Sequence, residues 1–323
     1  MENDIRRMDA EIARLIAEQS KAGGDGATFL DIGKRAGLDA DLCHEIADAL
    51  DRHRTKDASP VSTDPLKISI IGGAGKMGAW FSDLLSSAGH EITVIDPTSG
   101  NNRTIEDCKG SDVVIISVPI HSTLGILEKL DPICRKDALI FDLSSLKSPI
   151  VEKLKDMAKT RNVCSIHPMF GPSAESMKGR NLIICDCGNR KAVEMVDSLL
   201  SGRGGNFRIM DIEDHDVYMS YVLGLSHAVN IAFFTALERS GLSFRDLESV
   251  ASTTLRKNLD TNVSVALEDP TLYYEIQHMN VHRDETWELF SKAVEDLKKA
   301  SLSDDPTAFI QLMDNGRNYF TKQ

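Results

Sequence analysis

Residues 68–80 read ISIIGGAGKMGAW. An apolar run of the kind that makes a buried strand enters a glycine-rich turn, and an amphipathic stretch follows through Ala88. Gly73, Gly75 and Gly78 stand as G-x-G-x-x-G, with Lys76 and Met77 inside the motif. The spacing alone is a weak signal; a strand before it and a helix after it make it a dinucleotide-binding fingerprint. Gly73 lets the chain turn tightly, Gly75 lets the backbone approach a pyrophosphate, and Gly78 lets helix and strand pack closely. Free N–H groups at the helix start then hold the phosphate charge. Asp96 closes the next apolar run, EITVID (91–96), about twenty residues on, where an acid accepts from ribose hydroxyls. That acid repels the extra phosphate of NADP, so NAD is expected as the cofactor over NADP, with Arg103 nearby to soften the preference. The plain alternative is a glycine turn without a nucleotide, Asp96 then being a strand-end cap.

Working outward, SDVVIISVP (111–119), ALIFDLSS (138–145), NVCSIH (162–167) and NLIICD (181–186) are further apolar runs. They alternate with helical patterns such as STLGILEKL and KAVEMVDSLL. The alternation predicts an α/β domain over 66–210, a Rossmann-type parallel sheet covered by helices on both faces. After Asp211 no strand pattern remains. VYMSYVLGLSHAVNIAFFTALERSG (217–241) reads as a long apolar helix, and further helical segments follow, so 211–323 should be all-α. A helix apolar on all sides needs cover, and a second copy is the simplest, which predicts a homodimer through this half.

Upstream, Ile5, Met8, Ile12, Leu15 and Ile16 have helical spacing, and a second helical stretch runs from Asp39 to Arg54. KDASPVSTDP (56–65) reads as a linker. Residues 1–60 are therefore expected to be a short helical N-terminal appendage. DIGKRAGLDADLCHEIADAL has the rhythm of a helix-turn-helix, but Asp39, Asp41, Glu45 and Asp48 on its second helix repel phosphate.

The 323 residues suggest roughly two domains. A net charge of −12 argues against nucleic acid or an anionic membrane as partner, and an anionic ligand must find local cations. Six cysteines do not make a disulfide framework, and Cys185 and Cys187 sit in an apolar run with no second pair at zinc spacing, so no metal is expected. No signal peptide is read at the charged N-terminus and no apolar run is read as long enough to span a bilayer; the expected location is cytoplasmic.

SIHPMFGPSA (165–174) sets His167 among Pro168, Gly171 and Pro172, which predicts a stiff loop presenting one imidazole. A loop capping role is its bland alternative. Taken together, GGAGKMG (72–78), ISVPIHST (116–123), DLSSLK (142–147), IHPMFGP (166–172) and EDHDVYMSYVLGLSHAV (213–229) closely resemble the prephenate dehydrogenase family. The resemblance runs from about Leu66 to the last helices, and the pairing of SVPIH with HPMFGP is its specific part. It implies a Rossmann domain binding NAD(P), a helical dimerisation domain, and oxidative decarboxylation of prephenate to 4-hydroxyphenylpyruvate on the way to tyrosine.

By that resemblance His167 is the catalytic base or polariser at the substrate hydroxyl, and Ser145 bonds near the same hydroxyl and the nicotinamide. Ser144 or Ser145 also suits a helix N-cap. His227 and Arg256 match substrate-site residues, although Ser226 stands where some relatives place an arginine. Arg256, Lys147 and Lys257 are the candidates for the ring carboxylate, solvated surface charge being the alternative for each. Ser117, Pro119 and His121 are expected to line the cofactor, with packing as the other reading of His121. His278 and His282, four apart on an expected helix, are read as packing or surface residues, and Glu213-Asp214-His215-Asp216 as an acidic helix start.

RRMDAEIARLIAEQ and GLDADLCHEIADALDRH faintly resemble the two ends of a chorismate mutase domain whose middle is missing, and no mutase activity is expected. Arogenate or aminodeoxyprephenate as substrate, or a non-catalytic nucleotide sensor on this fold, are the alternatives. A 6-phosphogluconate-type hydroxy acid dehydrogenase would need a helical-domain lysine motif that is absent.

Overall fold

The computed structural model describes residues 64–321, with Arg35, Asp39 and Cys43 before them. Apart from those three, the expected appendage 1–60 lies outside the described residues.

Seven strands form one sheet: β1 Lys67–Ile71, β2 Glu91–Ile95, β3 Val113–Ile116, β4 Leu139–Asp142, β5 Asn162–Pro168, β6 Asn181–Asp186 and β7 Asn206–Asp211. Their order is β2-β1-β3-β4-β5-β6-β7. The first five pair in parallel, as do β6 and β7, but β5 and β6 are antiparallel. The expected parallel sheet is therefore mixed. Residues 169–180 between β5 and β6 contain no helix, and a parallel return needs a crossover that this segment does not supply. β7 was not expected. Half its side chains face water, so it lacks the unbroken apolar run that marks the central strands.

Helices cover both faces, which is why the central strands are apolar throughout. On one side Ile68, Ile70, Phe141 and Ile184 pack with Phe81 and Leu85 of α1 Lys76–Ser86 and Val193 and Leu200 of α4 Arg190–Leu200. On the other, Ile71, Ile116 and Ile140 meet α2 Ile120–Leu130, α3 Val151–Ala158 and, from the helical half, Ile212, Met219 and Ile276. The two halves thus share one core layer.

From Ile212 onward the chain is helical. α5 Ile212–Met219, a π-helical segment Ser220–Leu225 and α6 Ser226–Arg239 make one continuous run. Gln277 Nε2 donates to Gly224 O inside the π-helical turn at 2.7 Å. Contrary to expectation, the run 212–239 is long and apolar enough to cross a membrane by length and composition alone. The helices that follow start where sequence signals place them: Ser243 caps α7 Phe244–Ser249, Ser252 caps α8 Thr253–Ala266, and Asp269 with Pro270 opens α9 Pro270–Met279. α10 Arg283–Ser301 and α11 Thr307–Thr321 complete the fold. His278 ends α9 while His282 precedes α10, so the two do not share a helix.

Candidate active site

The strand order reverses around β1, between β2 and β3, and ligands of such sheets bind beyond the carboxyl ends of the strands at that point. Here the glycine turn follows β1 and Ser117–His121 follows β3. The left-handed residue is Gly72, at φ +78, where a Cβ would lie 2.0 Å from Ser117 O. The tight turn expected at Gly73 is therefore made one residue earlier. Gly73 is needed for contact: its Cβ would meet Ile70 O at 2.9 Å. On Gly78 a Cβ would lie 2.3 Å from Gly72 O, which is the close helix–strand packing its position predicts. Gly75 faces open space except for Gly72 O, and it begins α1 without a side-chain cap. The N–H groups of Lys76, Met77 and Gly78 are then free for an anion, with no acid in the first turn to compete. This cradle fits a dinucleotide pyrophosphate.

Asp96 directly follows β2. Its carboxylate accepts from Thr98 N at 2.8 Å, Thr98 Oγ1 at 2.7 Å and Ala74 N at 3.3 Å. Burial raises its pKa, but these donors outweigh that and hold it below the ordinary value. A fixed charge thus sits beside the glycine turn. Arg103, placed by sequence to soften that charge, instead pairs with Asp107 at 2.8 Å.

His167 is not on a free loop. It is the penultimate residue of β5, 4% exposed, with its neighbours held by the sheet. Its Nδ1 lies 3.0 Å from Nε2 of His215 on α5, and His215 Nδ1 lies 2.7 Å from Asp216 Oδ1. Asp216 also accepts from Lys147 N at 2.9 Å, Ser148 N at 2.6 Å and the Ser148 hydroxyl. Asn280 Nδ2 ties the Asp216 carbonyl at 2.9 Å. Burial, then the neighbouring His215 and Lys147, push the His167 pKa well below its usual value, so the ring is neutral and able to accept a proton. Burial lowers His215 as well, the Asp216 hydrogen bond opposing it. Burial raises Asp216, yet its donors win and keep it ionised. His215 and Asp216 were read from sequence as a helix start; only Glu213 and Asp214 of that cluster play that part.

Lys147, expected as a substrate cation, is 0% exposed. Its Nζ donates to Asp142 Oδ1 at 3.2 Å, Ser144 O at 2.6 Å and Ile166 O at 2.9 Å. It ties β4 to β5 below His167 and cannot reach a ligand. Ser144 is buried against Thr123 at 3.1 Å, while Ser145 is half-buried. Neither caps a helix, since α3 begins only at Val151. His121, on the first turn of α2, pairs with the buried Glu275 of α9 and so bridges the two halves. His227 on α6 stacks on Tyr273, ring centroids 4.1 Å apart, and burial lowers its pKa to about 4. Arg256 and Lys257 are exposed on α8, which packs against α6.

Two family models cover this chain. Residues 78–209 match the nucleotide-binding domain of prephenate dehydrogenase and residues 211–315 its dimerization domain. A probable arogenate/prephenate dehydrogenase of Methanocaldococcus jannaschii is 27% identical over 79% of this chain, which spans about three fifths (61%) of that relative's length. The T-protein of Haemophilus influenzae is 27% identical over 83% of this chain and 69% of its own. Among solved structures, prephenate dehydrogenase from A. aeolicus, crystallised with hydroxyphenyl propionate and NAD+, superposes with a TM-score of 0.64 at 21% identity, covering 81% of this chain and 99% of its own.

Proposed function

This chain belongs to the prephenate dehydrogenase family, and from that premise we propose that it is an NAD-dependent oxidoreductase converting prephenate to 4-hydroxyphenylpyruvate in tyrosine biosynthesis. The observation that carries the reading is a buried, neutral His167 at the end of β5, in the same half of the chain as an intact dinucleotide cradle.

Gly73, Gly75, Lys76, Met77 and Gly78 would hold the pyrophosphate through backbone N–H groups, and Asp96 the ribose. Ser117, Pro119 and His121 would border the nicotinamide end. Bound NAD supplies the hydride acceptor for carbon 4 of the ring, the carbon bearing the hydroxyl. As hydride leaves, that hydroxyl becomes acidic; His167 accepts its proton, and Ser145 orients it. Carbon dioxide leaves carbon 1 and the ring becomes aromatic, which drives the reaction forward. His227 and Arg256 would take the substrate's carboxylates, Arg256 by paired N–H donors.

We assign residues 66–210 to the nucleotide-binding domain and 211–323 to a helical domain that pairs two copies. Support for pairing comes from exposed Tyr221, Val222 and Val229 on the 212–239 run, a face that a partner subunit would cover. All six cysteines are free and buried, in keeping with a reducing cytoplasm.

The test is the rate of NADH formation with prephenate and with arogenate, each with NAD and NADP. Fast turnover of prephenate with NAD supports the proposal. Turnover of arogenate alone would keep His167 and Ser145 in their roles and reassign the side-chain pocket. No turnover of either, with NAD still bound, would refute it.

A further inference from the structure

Resting on the dehydrogenase reading above, we infer that His215 and Asp216 are positioning residues that fix the tautomer of His167, placing its hydrogen on Nδ1 and its free lone pair on Nε2. Hydrogen-bond parity along two imidazole rings and one carboxylate decides the tautomer. Asp216 is ionised and can only accept. His215 Nδ1, 2.7 Å from Asp216 Oδ1, must therefore carry hydrogen. A neutral His215 then presents a bare Nε2. His167 Nδ1, 3.0 Å from that atom, must donate to it. A neutral His167 with hydrogen on Nδ1 has its lone pair on Nε2, which has no protein partner among the described residues. The base that takes the substrate proton is thus Nε2, and the proton arrives on an atom the fold keeps empty.

Asp216 is itself clamped. Lys147 N, Ser148 N and the Ser148 hydroxyl all point at its carboxylate, and its carbonyl takes Asn280 Nδ2. The two Ser148 donors hold Oδ2, and Oδ1, shared with Lys147 N, is aimed at His215. The clamp comes from the segment after β4 and from Asn280 at the end of α9, so the rings cannot rotate independently of the two halves of the molecule. When His167 becomes an imidazolium in turnover, its Nδ1–H keeps its acceptor, and no second proton has to move.

Asp216→Asn tests this. The two Ser148 donors hold the amide oxygen at the Oδ2 position, where Lys147 N also reaches it, so the amide N–H₂ faces His215 Nδ1. Each hydrogen in the chain then reverses, and His167 Nε2 becomes a donor. The tautomers are read directly from long-range ¹⁵N–¹H NMR correlations of the full chain labelled with [¹⁵N]histidine, His167→Asn and His215→Phe serving for assignment. We expect an Nδ1–H His167 in the wild type and an Nε2–H His167 in Asp216→Asn. With prephenate and NAD, kcat should fall about 10²–10⁴-fold while KM and NAD affinity change less than about threefold. If Asp216→Asn does not fold, His215→Phe, which removes the acceptor and keeps a ring, must show the same split of kcat from KM. An Nε2–H His167 in the wild type, or unchanged kcat in the variant, would overturn the inference. A wild type inactive on every substrate yet carrying Nδ1–H His167 would support the tautomer and remove the functional reading beneath it.

Discussion

Lys147→Met separates a structural lysine from a substrate cation. The Lys147 ammonium and the Asp142 carboxylate are each 0% exposed. Nζ bonds Asp142 Oδ1 and the carbonyls of Ser144 and Ile166, while among the described residues Asp142 keeps only Ser144 N as another donor, at 2.8 Å. Among the described residues Asp142 Oδ2 has no partner. Removing the ammonium leaves a buried carboxylate with one donor and two buried carbonyls without theirs. Breaking such a pair costs about 3–5 kcal/mol, a large share of the 5–15 kcal/mol typical of a folded protein. At roughly 2–4 °C per kcal/mol the thermal midpoint should drop about 6–20 °C. Asp142→Asn combined with Lys147→Met removes the stranded charge and should recover at least half the loss, a coupling of about 1–3 kcal/mol. Urea unfolding of the three variants measures both quantities, and KM for prephenate on folded enzyme at low temperature should stay within about threefold of wild type. A stability loss below about 1 kcal/mol with a tenfold rise in KM would refute the reasoning and restore Lys147 to the substrate.

Gly78→Ala puts a methyl 2.3 Å from Gly72 O and 2.7 Å from Gly73 Cα. An overpacking cost of about 1–3 kcal/mol should weaken NAD about 5- to 150-fold by titration calorimetry. Burial depresses the pKa values of His167, His215 and His227. Below pH 6.5 their unfolded counterparts bind protons that the folded chain refuses, so stability should fall as pH drops from 7 to 5, by up to about 1.4 kcal/mol per pH unit for each, as chemical denaturation at stepped pH will show. Val222→Glu, on the exposed face of the π-helical segment, should leave the single chain folded and shift the mass in light scattering from two copies to one.

The glycine motif was legible because its reasons are local: a turn, a cap and a close contact all fall within seven residues. The central strands were legible because both their faces are buried. The site was legible only in part. His167 was marked by its neighbours in the chain, but His215 is 48 residues away and meets it only through folding. Nothing in EDHD announces which acid turns inward, since a helix start rich in acids looks alike whether its side chains are solvated or buried. Lys147 misleads for a related reason. Lysine is usually exposed, and its burial here depends on two carbonyls and a carboxylate brought together by β4 and β5. β7 is hard to read because an edge strand keeps half its side chains exposed, and the strand–helix alternation predicts a parallel β6 although the helix-free segment before it argues for a return in the opposite sense.

The central claim, that His167 is the base of an NAD-dependent dehydrogenase, is tested most directly by His167→Asn assayed for NADH formation with prephenate, beside NAD binding by the same protein. Asparagine keeps a polar side chain of similar reach and removes the basic nitrogen. The account predicts NAD affinity within about threefold of wild type and a kcat lower by about 10²–10⁴-fold. Turnover undiminished in His167→Asn would contradict it.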